Sequence, residues 1–276
     1  MSDDAALPGR PRDGALGGCA TERTESVLAP NPSVMTLDGT NTWIVAEPDS
    51  ELAVVVDPGP LDEGHLAAVL AAVERGGRRV GTTLLTHGHA DHCEGAARFA
   101  ELTGAPVRAL DPRLKLGGEG LVAGDVVTTG GLELWVVPSP GHTHDSLCFH
   151  LPADRALLTG DTVLGRGTTV VAHPDGRLGE YLDSLRRLRS LVVDEDVRTV
   201  LPGHGPVLED PRGAIEYYLV HRAKRLAQVE TAVEIGYRTA GEVVAHVYSD
   251  VDRSLWPAAE QSVQAQLEYL REHGLI

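Results

Sequence analysis

Three histidines and an aspartate fall within six residues of this sequence, at His87, His89, Asp91 and His92, in the run Thr86-His87-Gly88-His89-Ala90-Asp91-His92. Imidazoles and carboxylates together suit a borderline divalent ion such as zinc; iron and manganese accept the same donors. Three more residues of that chemistry follow: His142 in Pro140-Gly141-His142, Asp161 in Thr159-Gly160-Asp161, and His204 in Pro202-Gly203-His204-Gly205-Pro206. A lone histidine is usually a hydrogen-bonded core or surface residue, and a short His-rich tract can bind metal adventitiously. Four separate segments, each an apolar run broken by Gly or Pro at a His or Asp, form the pattern of an assembled site.

A single catalytic zinc takes three protein ligands and keeps one open position. Five histidines and two aspartates are enough for two cations. His87 and His89 alternate along an extended stretch, so they can point the same way, and with His142 they would form a three-histidine site. Asp91, His92 and His204 would hold a second ion, with Asp161 bridging the two through its two oxygens. A water shared by two cations becomes hydroxide near neutral pH, and the pair polarises the attacked group. The chemistry expected is hydrolysis, with Asp91 and Asp161 serving catalysis through the water they help to hold.

Such residues must be delivered by rigid elements. The β-prone run Val80-Gly81-Thr82-Thr83-Leu84-Leu85 ends at the first histidines, where a buried strand breaks into a loop. Leu52-Ala53-Val54-Val55-Val56 reads as a strand buried on both faces that stops at Asp57-Pro58-Gly59. Asp57 is expected either to orient the metal loop or to cap a turn. Helical spacing runs from Leu61 to Arg75, and Cys93 to Leu102 reads as a helix closed by Gly104. Cys93 is expected to be a small packed residue under the loop, not a thiolate. Strands are expected at residues 107–110, 132–137, 146–151, 156–158 and 200–201. Leu178, Tyr181, Leu182, Leu185, Leu188 and Leu191 mark an amphipathic helix with Arg186, Arg187 and Arg189 on its solvated side. Past Pro206 the pattern is helical, with starts at Asp210-Pro211, Thr239 and Pro257. The expected division is a flexible tail over residues 1–25, a catalytic domain over 26–208 and a helical domain over 209–276.

Composition narrows the function. At 276 residues with a net charge of −16, the protein repels long nucleic acid, so any such role needs a local basic patch or the metal itself. Three widely spaced cysteines do not make a disulfide framework. Neither an export signal nor a membrane-spanning run is visible, so a soluble cytoplasmic protein without a membrane role is expected.

The block His87-Gly88-His89-Ala90-Asp91-His92, with His142, Asp161 and His204 following in order, resembles the metallo-β-lactamase-fold hydrolases. That resemblance implies an α/β fold, a four-layer αββα sandwich with a dinuclear site at the sheet edge. Asn31-Pro32-Ser33, Leu37-Asp38-Gly39-Thr40-Asn41-Thr42, Gly165-Arg166-Gly167-Thr168-Thr169-Val170, Tyr181-Leu182-Asp183-Ser184-Leu185 and His221-Arg222 resemble, more narrowly, the β-lactamase-like protein 2 family. There a winged-helix-like module follows the catalytic domain, and relatives include a single-strand-specific endoribonuclease and thioesterases that release polyketides from acyl carrier protein.

The resemblance and the donor set together give a zinc-dependent hydrolase of an ester or thioester, free or bound to a carrier protein, ahead of one acting on single-stranded RNA. Arg222, Lys224 and Arg225 could guide a short RNA strand, although ordinary surface charge explains them more simply. Two other classes compete: an oxygenase with a single iron at His87, His89 and His142, and a DNA-binding regulator using the helical segment.

Overall fold

The computed structural model describes residues 17–276. Two sheets form from the apolar runs. The first contains β1 (Gly18–Cys19), β2 (Thr24–Leu28), β3 (Asn41–Val45), β4 (Leu52–Val56), β5 (Arg79–Leu84) and β6 (Val107–Arg108), neighbours in space as in sequence. β1 to β4 pair antiparallel, whereas β4, β5 and β6 pair parallel. Parallel neighbours require crossovers. They are α1 (Glu63–Arg75) and, after the short α2 (Ala90–Cys93), α3 (Ala96–Thr103).

The second sheet is built from β7 (Val126–Thr129), β8 (Leu132–Pro138), β9 (Leu147–Leu151), β10 (Ala156–Gly160) and β11 (Thr199–Pro202), in the order β11-β10-β9-β8-β7. Its one parallel pair, β10 with β11, is joined through α4 (Leu178–Asp194).

Inward-facing residues of the two sheets meet in one core. Trp43, Val45, Val56 and Leu84 pack there with Leu134, Val136, Phe149 and Leu158. On the far face of the first sheet, Ile44 and Val55 pack with Leu66 and Val69 of α1 and Phe99 of α3. On the far face of the second, Leu157 and Val200 pack with Tyr181 and Leu185 of α4 and Ile215 of α5 (Pro211–Glu234). The result is the four-layer αββα sandwich. Burying Leu185 and Leu188 completely contributes ~1.5–3 kcal/mol each, while Arg186, Arg187 and Arg189 of the same helix face solvent.

The chain ends in α5, α6 (Ala240–Val247) and α7 (Trp256–Glu272). Pro211 sits in the first turn of α5 behind the Asp210 cap, and Thr239 with Glu242 forms a reciprocal capping box on α6. Val229, Val243, Val244, Val263, Leu267 and Leu270 make a second, smaller core.

Three expectations need correction. Residues 18–19 and 24–25 of the supposed flexible tail are in strands, and Asp154 anchors that segment by accepting from Arg23 N at 2.8 Å and pairing with its guanidinium at 2.6 Å. Residues 1–16 lie outside the described part. The helix expected from Cys93 breaks at Glu94 and Gly95, because Gly95 N donates to Gly59 O (2.9 Å) and not back along the helix. β7 was not anticipated.

Candidate metal centre

Strand ends from both sheets are stitched together at one edge. Leu147 N donates to Thr86 O (2.8 Å), Asn41 N to Gly203 O (2.7 Å) and Gly203 N to Gly160 O (2.9 Å). These bonds gather the segments carrying His87, His142, Asp161 and His204 at a single place.

Asp57, at the end of β4, does most of the orienting. Its backbone takes a φ of 54°, which turns the carboxylate back under the loop. Oδ1 accepts from Thr86 N (2.8 Å), and Oδ2 accepts from Thr86 Oγ1 (2.7 Å) and from His92 Nδ1 (2.8 Å). Because the Thr86 hydroxyl spends its one hydrogen on Asp57, its oxygen can only accept from His87 Nδ1 at 2.9 Å. Both His87 and His92 therefore carry a proton on Nδ1 and turn Nε2 toward the site. His142 Nδ1 donates to Val170 O (2.7 Å) and His204 Nδ1 to Gly39 O (3.1 Å), with the same consequence.

The nitrogens so exposed converge in two groups. His89 Nδ1 lies 3.1 Å from His87 Nε2 and 3.1 Å from His142 Nε2. His92 Nε2 lies 3.2 Å from His204 Nε2, and Asp91 Oδ2 is 3.3 Å from the former and 3.1 Å from the latter. Asp161 stands between the groups: Oδ1 is 3.4 Å from His92 Nε2, and Oδ2 is 3.3 Å from His204 Nε2 and 3.7 Å from His142 Nε2. His87, His89, His142 and Asp161 form one set whose donor atoms all lie within 4.8 Å of one another; Asp91, His92 and His204 form another.

Two donors each about 2.1 Å from a tetrahedral cation stand roughly 3.4 Å apart, which is the spacing found in both sets. Asp161 Oδ1 is buried without a hydrogen-bond partner, and the neutral rings of His87 and His142 turn lone pairs, not hydrogens, toward the site. The residues fit a pair of divalent cations. The packing also leaves no slack, since a Cβ on Gly203 would lie 2.6 Å from Asp161 Oδ1 and 2.8 Å from His92 Cε1.

Electrostatics follows the same division. Burial holds His87 well below the usual histidine pKa and His142 down to about 4, so both are neutral at pH 7. Burial also works against charge on His92 and His204. There the Asp161 carboxylate outweighs it, placing His92 well above its ordinary value and His204 at about 9. Burial opposes the charge on Asp161 and Asp91 as well, yet His204 and His92 hold both carboxyls well below the usual range. Burial pushes the Cys93 thiol up to about 11, and its Sγ contacts Gly88 O at 3.4 Å, so it packs as expected and offers no thiolate.

The structure brings every candidate residue to one place. The sequence reading did not identify Thr86, Val170 O and Gly39 O as orienting groups. Two of these are backbone atoms, which leave no sequence signal.

Residues 35–204 match the model of the metallo-beta-lactamase superfamily. The chain belongs to that family of hydrolases. Residues 239–276 match the beta-lactamase associated winged helix domain, although residues 209–276 contain helices and no strand among those described. A beta-lactamase-like protein 2 homolog of Drosophila melanogaster is 33% identical, covering 95% of this chain and 93% of the relative. An atrochrysone carboxyl ACP thioesterase of Aspergillus fumigatus is 36% identical over 77% of this chain, which spans 65% of that enzyme's length. Among solved structures, a metallo-beta-lactamase family protein from Thermus thermophilus superposes with a TM-score of 0.76 at 23% identity, covering 91% of this chain and 94% of the other. That likeness speaks for the fold alone. No helix among the described residues is long and apolar enough to cross a membrane.

Proposed function

We propose that the protein is a dinuclear, zinc-dependent hydrolase of esters or thioesters, including acyl groups carried on a carrier protein, and that it works in the cytoplasm. The observation that carries the dinuclear part is the position of Asp161, within 3.3–3.7 Å of ring nitrogens from both donor sets. In this reading His87, His89 and His142 hold one cation, Asp91, His92 and His204 hold the other, and Asp161 bridges. Two cations bound there supply an acidified water and a Lewis acid for the attacked carbonyl.

The chain's own residues supply the rest. Asp57 keeps His87 and His92 in the ligating tautomer, directly for His92 and through Thr86 for His87. Val170 O and Gly39 O do the same for His142 and His204. A cavity of about 320 Å³ opens from His142 and Asp161 toward α6 and α7, giving room for an acyl group beside the donors. A thiolate departs without a strong general acid, so a thioester asks least of the side chains around the donors. The thioesterase relative supports this substrate class. The division into a catalytic unit over 26–208 and a helical unit over 209–276 belongs to the same proposal.

The second donor set weighs against an oxygenase with a single iron, and the net charge of −16 weighs against RNA. The test is metal analysis of the purified protein followed by assays on acyl thioesters, lactones, phosphodiesters and single-stranded RNA, with His87→Ala as the blank. Zinc-dependent thioester cleavage absent from the blank is expected. Cleavage of RNA alone, or oxygen uptake with one iron per chain, would overturn the proposal.

A further inference from the structure

The cleft beside the donor groups carries a charge pattern that hydrolysis itself does not use. α5 presents Arg222 and Arg225, three residues apart and hence on one helical face, to the cavity that starts at His142 and Asp161 and ends under Val251 and Leu255. Arg222 is buried. One of its terminal nitrogens donates to Thr169 O, its guanidinium lies 5.2 Å from the Tyr181 ring centre, and its Nε has no hydrogen-bond partner. Arg225 is half-buried, 4.7 Å from the Tyr248 ring centre, and donates to Gln228 Oε1 (3.1 Å) and Val247 O (3.3 Å).

Neither guanidinium pairs with a carboxylate among the described residues, whereas Arg23, Arg75, Arg98, Arg113, Arg177 and Arg212 all do. In a chain with an excess of 16 negative charges, two sheltered cations without a counter-charge cost free energy that an anionic ligand would recover. The wall also includes His221, the hydroxyls of Thr168, Thr169 and Ser262, and Arg166, which is paired with Asp38. Most of what remains is apolar, and two of those side chains are left in water, Val34 being 62% and Met35 47% exposed at the rim. A volume of about 320 Å³ is at the low end of small-molecule sites, roughly 300–1,000 Å³, which suits a compact ligand and not a polymer.

We propose that this cleft binds a small apolar body carrying one oxyanion, the anion on Arg222 and Arg225 and the apolar part against Met35, Val251 and Leu255. It rests on the hydrolase reading for one point only, that the acyl carbon at the other end lies by His142 and Asp161. The substrate class is then an acyl group with a distal acidic function. Carboxylate and phosphate both match the guanidinium fork, so the test uses each.

Calorimetric titration of the zinc-loaded protein with hexanoate, hexyl phosphate and hexanamide reads binding without turnover, so failure of the hydrolase assay leaves this result separate. At least one oxyanion is expected to bind tenfold or more tighter than the amide, and the tighter of the two identifies the preferred anion. Arg225→Met should reduce the preference to threefold or less, and Arg225→Lys should restore part of it. Equal binding of the amide, or a preference that survives in Arg225→Met because the anion sits on the cations, would overturn the proposal. Leu255→Trp, which fills the apolar end, should weaken hexanoate tenfold while sparing acetate. If it weakened both equally or neither, the apolar part of the assignment would be wrong.

Discussion

Replacing Asp57 by asparagine changes one atom type and leaves the backbone alone, because asparagine tolerates the left-handed φ of 54° that Asp57 adopts. The carboxylate accepts three hydrogen bonds, from Thr86 N, Thr86 Oγ1 and His92 Nδ1. Asparagine offers one acceptor oxygen and one donor group. With the oxygen on Thr86 N, the amide nitrogen faces His92 Nδ1 and drives the ring proton to Nε2, the atom that must bind metal. With the amide reversed, Thr86 N is left facing a donor, at about 1–3 kcal/mol. In the first orientation the His92 set suffers directly, whereas the His87 set feels Asp57 only through Thr86. Loss of such an orienting partner typically costs about 10–100-fold in metal affinity, or roughly 1.4–2.7 kcal/mol. Zinc titration against a competing chelator should show two affinities in the natural protein; in Asp57→Asn one should stay close to that value and the other fall by this factor. Two unchanged affinities, or two equally reduced, would refute the assignment of Asp57 as the orienting group of His92.

Asp161→Ala removes the carboxylate shared by both sets, so both zinc affinities should fall at least tenfold and turnover by on the order of 10²–10³, with the circular dichroism spectrum unchanged; normal turnover would mean that Asp161 does not bridge. Zinc uptake should also release protons. His204, raised to about 9, is charged at pH 7.5 in the cation-free protein, and its ion pairing stabilises that form below the unfolded value near 6.5 and is lost as pH rises through about 9. A bound cation must displace this proton, so calorimetry in buffers of different ionisation heat should give net release at pH 7.5 that fades above pH 9. Zero release at pH 7.5 would contradict the donor role of His204.

The donor side chains are legible in the sequence because each interrupts an apolar run with a residue type that packing does not want there. What orients them is less so. Asp57 is readable as a carboxylate at a strand end, yet nothing in its neighbours tells that it serves two histidines far along the chain, one of them through the Thr86 hydroxyl. The terminal helices are readable from their caps, Asp210 with Pro211 and Thr239 with Glu242. β7 is not, since Val127 is its one buried residue and a four-residue strand with one inward side chain has no period to detect. The early strand at Gly18–Cys19 fails for the same reason: it is held by pairing with Ser26 and Glu25, not by its own burial. Arg222 and Arg225 look like surface charge in sequence, and only the packing of α5 against α4 and α6 turns them into a cleft wall.

The proposed hydrolysis needs two cations sharing one carboxylate. Diffraction from zinc-loaded crystals, measured at the zinc absorption edge, should give two anomalous peaks about 3.5–4 Å apart. Asp161 should lie between them, and His87, His89 and His142 should surround one peak while Asp91, His92 and His204 surround the other. A single peak, or a pair with Asp161 or His204 beyond the coordination distance of about 2.0–2.2 Å, would contradict it.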